Sequence, residues 1–187
     1  MCSVNVNTSR LALLPMKLRS LCLHAAWAGW VLLAPPVSAD PSLEVRFEGK
    51  ATVYEWSALE ALPHQEVSAY DFHEKQNHTY SGVPVKSLLA SAGVEFGEKL
   101  RGRSLKEVVI ARCLDHYDIV FALAEFDDAF NSRAILLVDH QDGKALPLGQ
   151  GPLRLVVPGD KRPARWARMV TSIEVVSADE MPLGRRP

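Results

Sequence analysis

A short segment near the end of the sequence carries side chains suited to binding an anion. Between positions 154 and 168 its net charge is +4, because one acid, Asp160, stands among Arg154, Lys161, Arg162, Arg165 and Arg168. Guanidinium groups bind phosphate or carboxylate oxygens through paired hydrogen bonds, and backbone N–H groups in a turn add further donors. Gly159 lets the backbone approach such a ligand closely. The alternative is that these charges only solvate a loop and pair with acids such as Glu174.

Two predicted strands flank this basic segment. Residues 153–157 are almost continuously apolar, which predicts a strand at the centre of a sheet, and residues 169–176 predict a strand that closes it. Upstream, the alternation over residues 43–47 predicts a half-buried strand, Asp142-Gly143 predicts a hairpin turn, and Pro84 predicts the start of a helix. The sequence therefore predicts a mixed α/β (α+β) domain in which strands outnumber two or three short helices.

The first 39 residues predict a secretory signal peptide. Lys17 and Arg19 precede an apolar run over residues 21–33, and Val37-Ser38-Ala39 supplies the small residues of a cleavage site before Asp40. An uncleaved anchor is the alternative, and Met16 is an alternative start. The signal lacks an adjacent arginine pair, which indicates export of an unfolded chain. We therefore expect a periplasmic or secreted protein with no membrane span after cleavage.

Residues 40–187 have the length of one domain. They carry 18 basic and 22 acidic residues, a net charge of −4, which argues against nucleic acid as a partner. Cys113 is the one cysteine that remains after cleavage, and we interpret it as a small core residue.

Three histidines could indicate a metal site. Residues 71–79 are polar and aperiodic, which predicts a loop that holds His73 and His78, and His116 lies in a second predicted turn. No helix aligns these side chains, and a metal site needs several ligands brought together in space. We therefore interpret them as solvated loop histidines and predict no metal site.

Two longer motifs carry a family resemblance. YSGVPVKSLLASAGV, residues 80–94, and GPLRLVVPGDKRPARWARMVTSIEV, residues 151–175, resemble the sulfite-oxidase-type molybdopterin-binding domain, and in particular its small exported members. The resemblance implies a sulfite-oxidase-like fold with a strand-rich mixed sheet and short helices. It also implies oxidoreductase activity with molybdopterin as the cofactor.

The resemblance also implies which residues hold the pterin phosphate. Basic side chains and backbone N–H groups around Val-Pro-Gly would grip the anion, and a tryptophan would form a wall of the pocket. The matching positions in this sequence are Arg154, Gly159, Lys161, Arg162, Arg165 and Trp166.

One position departs from the family pattern. Active members bind molybdenum through a cysteine that follows the strand predicted here over residues 66–70, and this position falls near Tyr70-Asp71-Phe72. Molybdenum in this setting prefers a soft thiolate, for which a carboxylate is a poor substitute. The signal gives a second reason for doubt, since the family's exported enzymes fold around their cofactor before export. We therefore expect no bound molybdenum, and the catalytic residues stay unassigned.

Three functions remain open at this point. The first is an exported oxidoreductase-type domain that binds molybdopterin. The second is a cofactor-free accessory or sensor module of the same fold, whose partner is a small anionic ligand or a periplasmic protein. The third is a stable domain that binds no ligand and acts through its surface.

Overall fold

Ten strands in two sheets make up most of the fold in the computed structural model, which describes residues 41–180. Two α-helices and several 3₁₀ turns connect them. The strands are β1 Ser42–Phe47, β2 Lys50–Glu55, β3 Gln65–Asp71, β4 Gln76–Pro84, β5 Glu107–Cys113, β6 Ile119–Ala122, β7 Leu136–Gln141, β8 Lys144–Ala145, β9 Arg154–Val156 and β10 Val170–Ser177. The helices are α1 Trp56–Glu60 and α2 Val85–Ser91, and the 3₁₀ turns are Gly97–Lys99, Gly102–Lys106, Leu123–Phe126 and Pro163–Arg165.

The first sheet joins the two ends of the described chain. Its strand order is β2-β1-β10-β5-β6. The first strand, β1, lies parallel to the last strand, β10, whereas the other neighbours are antiparallel. Strand β10 is therefore interior, with β1 on one side and β5 on the other.

The second sheet supplies the strands that reach the candidate site. Its order is β3-β4-β7-β8, and β9 also pairs with β7. Its pairings are antiparallel, and short turns join β3 to β4 and β7 to β8, as expected for antiparallel neighbours. Buried side chains of both sheets and of α2 belong to one hydrophobic core. The strand-rich mixed fold predicted from the sequence is confirmed.

A bulge in the second sheet brings two backbones unusually close. Ser81 of β4 pairs with His140 of β7, but the next residue, Gly82, pairs with Val138, so Asp139 is the extra residue. A Cβ atom at Gly82 would overlap the carbonyl oxygen of Leu137 and the Cα of Val138. This register therefore requires glycine at position 82.

Two local predictions need correction in their bounds. Residues 153–157 were expected in a central strand, but β9 covers three of them. It pairs with β7 on one edge, and on the other edge Arg154 forms an antiparallel bridge with Arg168 and the Leu155 N–H donates to the Ala167 carbonyl oxygen. The buried strand therefore has backbone neighbours on both sides, although it is shorter than predicted. The predicted loop over 71–79 is also shorter, because β4 starts at Gln76 and pairs with the end of β3.

The predicted signal peptide lies outside the described residues. By their contacts, residues 41–180 belong to one compact unit. Within residues 41–180, no helix is both long enough and apolar enough to cross a bilayer.

Candidate functional site

A buried carboxylate lies at the end of β3. Asp71 is 1% exposed and accepts four hydrogen bonds. The backbone N–H groups of His73 and Glu74 donate to Oδ1 at 2.7 and 3.2 Å, which closes the tight turn into β4. The Tyr80 hydroxyl and Nη2 of Arg154 donate to Oδ2 at 3.2 and 3.1 Å. The carboxylate is therefore fully engaged inside the protein.

These donors determine the ionisation of Asp71. Burial alone would raise its pKa, but the backbone N–H groups of the turn and the Arg154 guanidinium outweigh burial and lower the pKa to about 2. The pKa of Tyr80 is raised, chiefly by its burial. At neutral pH the group is therefore an ionised carboxylate that accepts a hydrogen bond from a neutral phenol.

Arg154 is the partner of this carboxylate and is itself 1% exposed. Its guanidinium carbon lies 5.6 Å from the ring centre of Tyr80 and 5.3 Å from that of Trp166, distances at which cation–π attraction is favourable. Nη1 donates to the side-chain oxygen of Gln150, whereas Nε is buried without a hydrogen-bond partner among the described residues.

A cavity of about 250 Å³ lies above this pair. We call it the Arg154 pocket, and it is lined by His73, Asp115, Tyr117, Arg154, Pro163, Ala164, Trp166, Ala167 and Arg168. Arg168 is half-buried there, and within residues 41–180 its side chain makes no ion pair or hydrogen bond. The lining therefore combines two arginines with one carboxylate and an apolar wall.

Arg165 lies in a different place. It donates to both oxygens of Asp160, at 2.9 and 2.8 Å, and to Glu125 at 2.7 Å. Its guanidinium carbon also lies 4.9 Å from the centre of the Phe121 ring. The hydrogen bond to Asp160 is the main reason that the pKa of Arg165 is raised. Two carboxylates therefore already take up the charge of this arginine.

Gly159 directly precedes Asp160, the partner of Arg165, in a turn where its φ of +87° favours glycine. The Arg133 guanidinium covers the face of Gly159 where a Cβ atom would stand. Arg133 and Arg165 line a second cavity of about 340 Å³, together with Glu125 and Asp160. This second cavity has as many carboxylates as arginines.

The predicted phosphate-binding residues thus divide into three groups. Arg154 and Trp166 share the Arg154 pocket, and Arg165 lines the second cavity next to Gly159. Lys161 and Arg162 are exposed and line neither cavity. Their binding roles stay predictions, and these six residues do not converge on one point.

Other members of the Arg154 pocket were missed from the sequence. Arg168 belongs to the basic segment, but it was not among the residues that the resemblance assigned to the pterin phosphate. His73 and Tyr117 come from the β3–β4 and β5–β6 turns, which only the fold brings together. For Tyr117 the sequence gives a weak indication of a binding role, because an aromatic residue beside Asp115-His116 is unusual in a solvated turn.

Histidines form two further clusters outside this pocket. His78 is buried, not solvated as expected, and its ring nitrogens lie 2.6 Å from Asp142 and 2.8 Å from Glu74, which raises its pKa. Asp139 bridges His64 and His140 at 2.9 and 2.8 Å. Among residues 41–180, no three such side chains are arranged to hold a metal ion.

Comparison with known proteins gives the family. A sequence model of the oxidoreductase molybdopterin-binding domain matches residues 65–182, more than half of the chain. This chain belongs to that family. No curated protein matches at a significant level.

Solved structures agree with the family at the level of the fold. The crystal structure of the sulfane dehydrogenase SoxCD from Paracoccus pantotrophus matches with a TM-score of 0.57 and 22% identity. The alignment covers 73% of this chain and 38% of the SoxCD chain, so this family member spans less than half of that relative. At this identity, the likeness shows a shared fold.

Among residues 41–180, two groups were weighed as donors for the metal half of a molybdopterin cofactor, and neither of them is a free thiolate. Cys113 is the one cysteine among the described residues, and burial, with Asp115 and Asp118 nearby, raises the pKa of its thiol to about 11. It is therefore a protonated core group and not a thiolate ligand. The Asp71 carboxylate is a hard donor, and four hydrogen bonds already occupy it.

Proposed function

We propose that this family member is an exported, molybdenum-free module that binds a small anion in the Arg154 pocket. The observation that carries the proposal is the Asp71–Arg154 ion pair. Asp71 stands where the family resemblance puts the metal-binding cysteine, and the protein itself supplies all four of its hydrogen-bond donors. We therefore assign Asp71 a role in stabilising the fold.

Energetics support a structural role for this pair. A metal that recruited Asp71 would take the carboxylate away from Arg154, whose charge is equally buried. Separating a buried ion pair costs about 3–5 kcal/mol, because one charge is left without compensation. A hard carboxylate bond to molybdenum would also replace the soft thiolate bond that the metal prefers.

Charge and burial together favour the Arg154 pocket over the second cavity as the anion site. Asp71 neutralises Arg154, so Arg168 carries the charge of the Arg154 pocket that is free of an ion pair within residues 41–180. Arg133 of the second cavity also makes no ion pair in that range, but it is exposed, so water screens its charge more strongly than that of the half-buried Arg168. In the second cavity Asp160 and Glu125 hold Arg165. An anion there would have to compete with two carboxylates.

Export in an unfolded state is part of the same proposal. The basic residues, apolar run and small-residue site over positions 17–39 support a cleaved signal without a twin-arginine motif. A chain that crosses the membrane unfolded carries no large buried cofactor with it. The proposal therefore places the module in the periplasm or outside the cell.

Elemental analysis tests the absence of molybdenum. We expect native protein purified from the periplasm to contain no stoichiometric molybdenum and no pterin fluorescence after oxidation. A cysteine-containing family member expressed in the same strain and purified in parallel is the control for cofactor supply. One molybdenum atom per chain would overturn the proposal.

Calorimetric titration with sulfate and phosphate tests anion binding. We expect saturable binding that Arg168→Ala weakens roughly tenfold or more, since a charge-assisted hydrogen bond contributes about 1.5–3 kcal/mol. Arg103→Ala is the matched control, because it removes an exposed arginine from the Gly102–Lys106 turn. Equal weakening by both variants would indicate a general charge effect and would contradict a site at Arg168.

A further inference from the structure

We infer that the natural ligand of the Arg154 pocket is a compact aromatic carboxylate, and not an inorganic anion or a pterin phosphate. The inference rests on the proposed function, because it assigns a ligand class to the same pocket. Three properties of the lining carry it: a fixed apolar wall, an arginine that makes no ion pair among the described residues, and a small volume.

The wall is apolar and held in place. Tyr117 is 51% exposed, yet its hydroxyl donates to the carbonyl oxygen of Ala164 at 2.9 Å, which ties the β5–β6 turn to the Pro163–Arg165 turn. Pro163 and the buried Trp166 continue the same wall. An aromatic side chain that is already ordered loses little entropy when a flat ligand packs on it. Hydrated inorganic ions gain nothing from such a surface.

The charge of the lining suits a monoanion. Asp71 balances Arg154, so Arg168 supplies one positive charge that has no described partner. Asp115 lies at the rim, where its Oδ1 accepts the Tyr117 N–H at 3.1 Å. This carboxylate repels a ligand of higher negative charge more strongly than it repels a monoanion. His73 adds a ring that can donate a hydrogen bond to a carboxylate.

The volume favours a small ligand over a larger one. About 250 Å³ corresponds to roughly eight water molecules at ~30 Å³ each. It lies below the ~300–1,000 Å³ of pockets that enclose larger organic ligands, and a pterin with its phosphate belongs to that larger class. A single aromatic ring with one carboxylate fits.

Calorimetry with benzoate, benzamide and inorganic phosphate tests this inference on the full mature chain. Benzamide keeps the shape of benzoate but lacks its charge, and phosphate keeps a charge but lacks the ring. We expect benzoate to bind at least tenfold more tightly than either. We also expect Tyr117→Ser to weaken benzoate about fivefold without changing phosphate binding, and Tyr117→Leu, which keeps an apolar wall, to retain most of the benzoate affinity.

The outcomes separate the two proposals. Phosphate binding as tight as benzoate binding would overturn the aromatic ligand class and leave the anion site standing. Benzamide binding as tight as benzoate binding would overturn the charge argument. Failure of benzoate and phosphate alike to bind the wild-type protein would overturn the proposed function itself. Thermal melting of both Tyr117 variants confirms that any loss of binding comes from a folded protein.

Discussion

Arg154→Met is expected to lower the free energy of unfolding by about 3–5 kcal/mol, because it leaves the buried Asp71 carboxylate without its cationic partner. Methionine has a similar length and keeps the contacts with Tyr80 and Trp166, so the loss reports the charge and not a large cavity. Thermal and urea unfolding measure the change. For a domain of this size we expect the melting temperature to fall by roughly 10 °C or more.

A double-mutant cycle separates the ion pair from the packing. Asp71→Asn keeps an oxygen that accepts the His73 and Glu74 N–H groups but removes the negative charge. The double variant Asp71→Asn/Arg154→Met should recover much of the stability lost by Arg154→Met alone, since both buried charges are gone. Simple additivity of the two single losses would show that the pair is not the cause.

Acid titration gives an independent check on the same pair. The folded-state pKa of Asp71 is about 2, below its ordinary value of 3.8, so its contribution to stability is present above about pH 4 and is lost as the pH falls towards 2. The shift corresponds to about 2 kcal/mol. The double variant should lack this part of the acid dependence. An identical acid dependence in the wild type and the double variant would contradict the assignment.

Gly82→Ala is expected to cause the second large loss of stability. Its new methyl group would overlap the Leu137 carbonyl oxygen and the Val138 Cα, and these are backbone atoms of β7, the strand that carries the bulge. Overpacking typically costs about 1–3 kcal/mol, and a clash with paired backbone lies at or above the top of that range. We expect a strongly lowered melting temperature or insoluble protein.

Ser81→Ala is the matched control for this prediction. It changes the neighbouring residue on β4, whose side chain is only partly buried and already has a Cβ atom. Its melting temperature should stay close to that of the wild type. A Gly82→Ala protein as stable as Ser81→Ala would show that the bulge can shift to make room.

Local sequence signals predicted most of the strands, because they depend on neighbouring residues alone. Alternation over residues 43–47 and Asp142-Gly143 correspond to β1 and to the β7–β8 turn. The length of β9 was overestimated, since an apolar run reports burial and not the residues at which backbone pairing ends. The start of β4 at Gln76 was not predicted, because the sequence there is polar and its pairing with β3 depends on backbone hydrogen bonds.

The site was predictable only in part, for a similar reason. Arg154 and Trp166 belong to one motif, and both reach the Arg154 pocket. The partner of Arg154 is 83 residues away, at the turn where the resemblance suggested only a missing cysteine. Glu125, which holds Arg165, is 40 residues from it. No spacing rule connects such pairs, because the fold brings them together.

The parallel pairing of β1 with β10 has a consequence for how the domain assembles. The strand that begins the described fold needs, as its neighbour in the sheet, the strand that comes last along the chain. A chain that emerges amino terminus first cannot complete the first sheet until residue 177 is free. Until then β1 has only the β2 hairpin beside it, and a lone hairpin is at best marginally stable in water. Folding of this sheet is thereby delayed until β10 has been released.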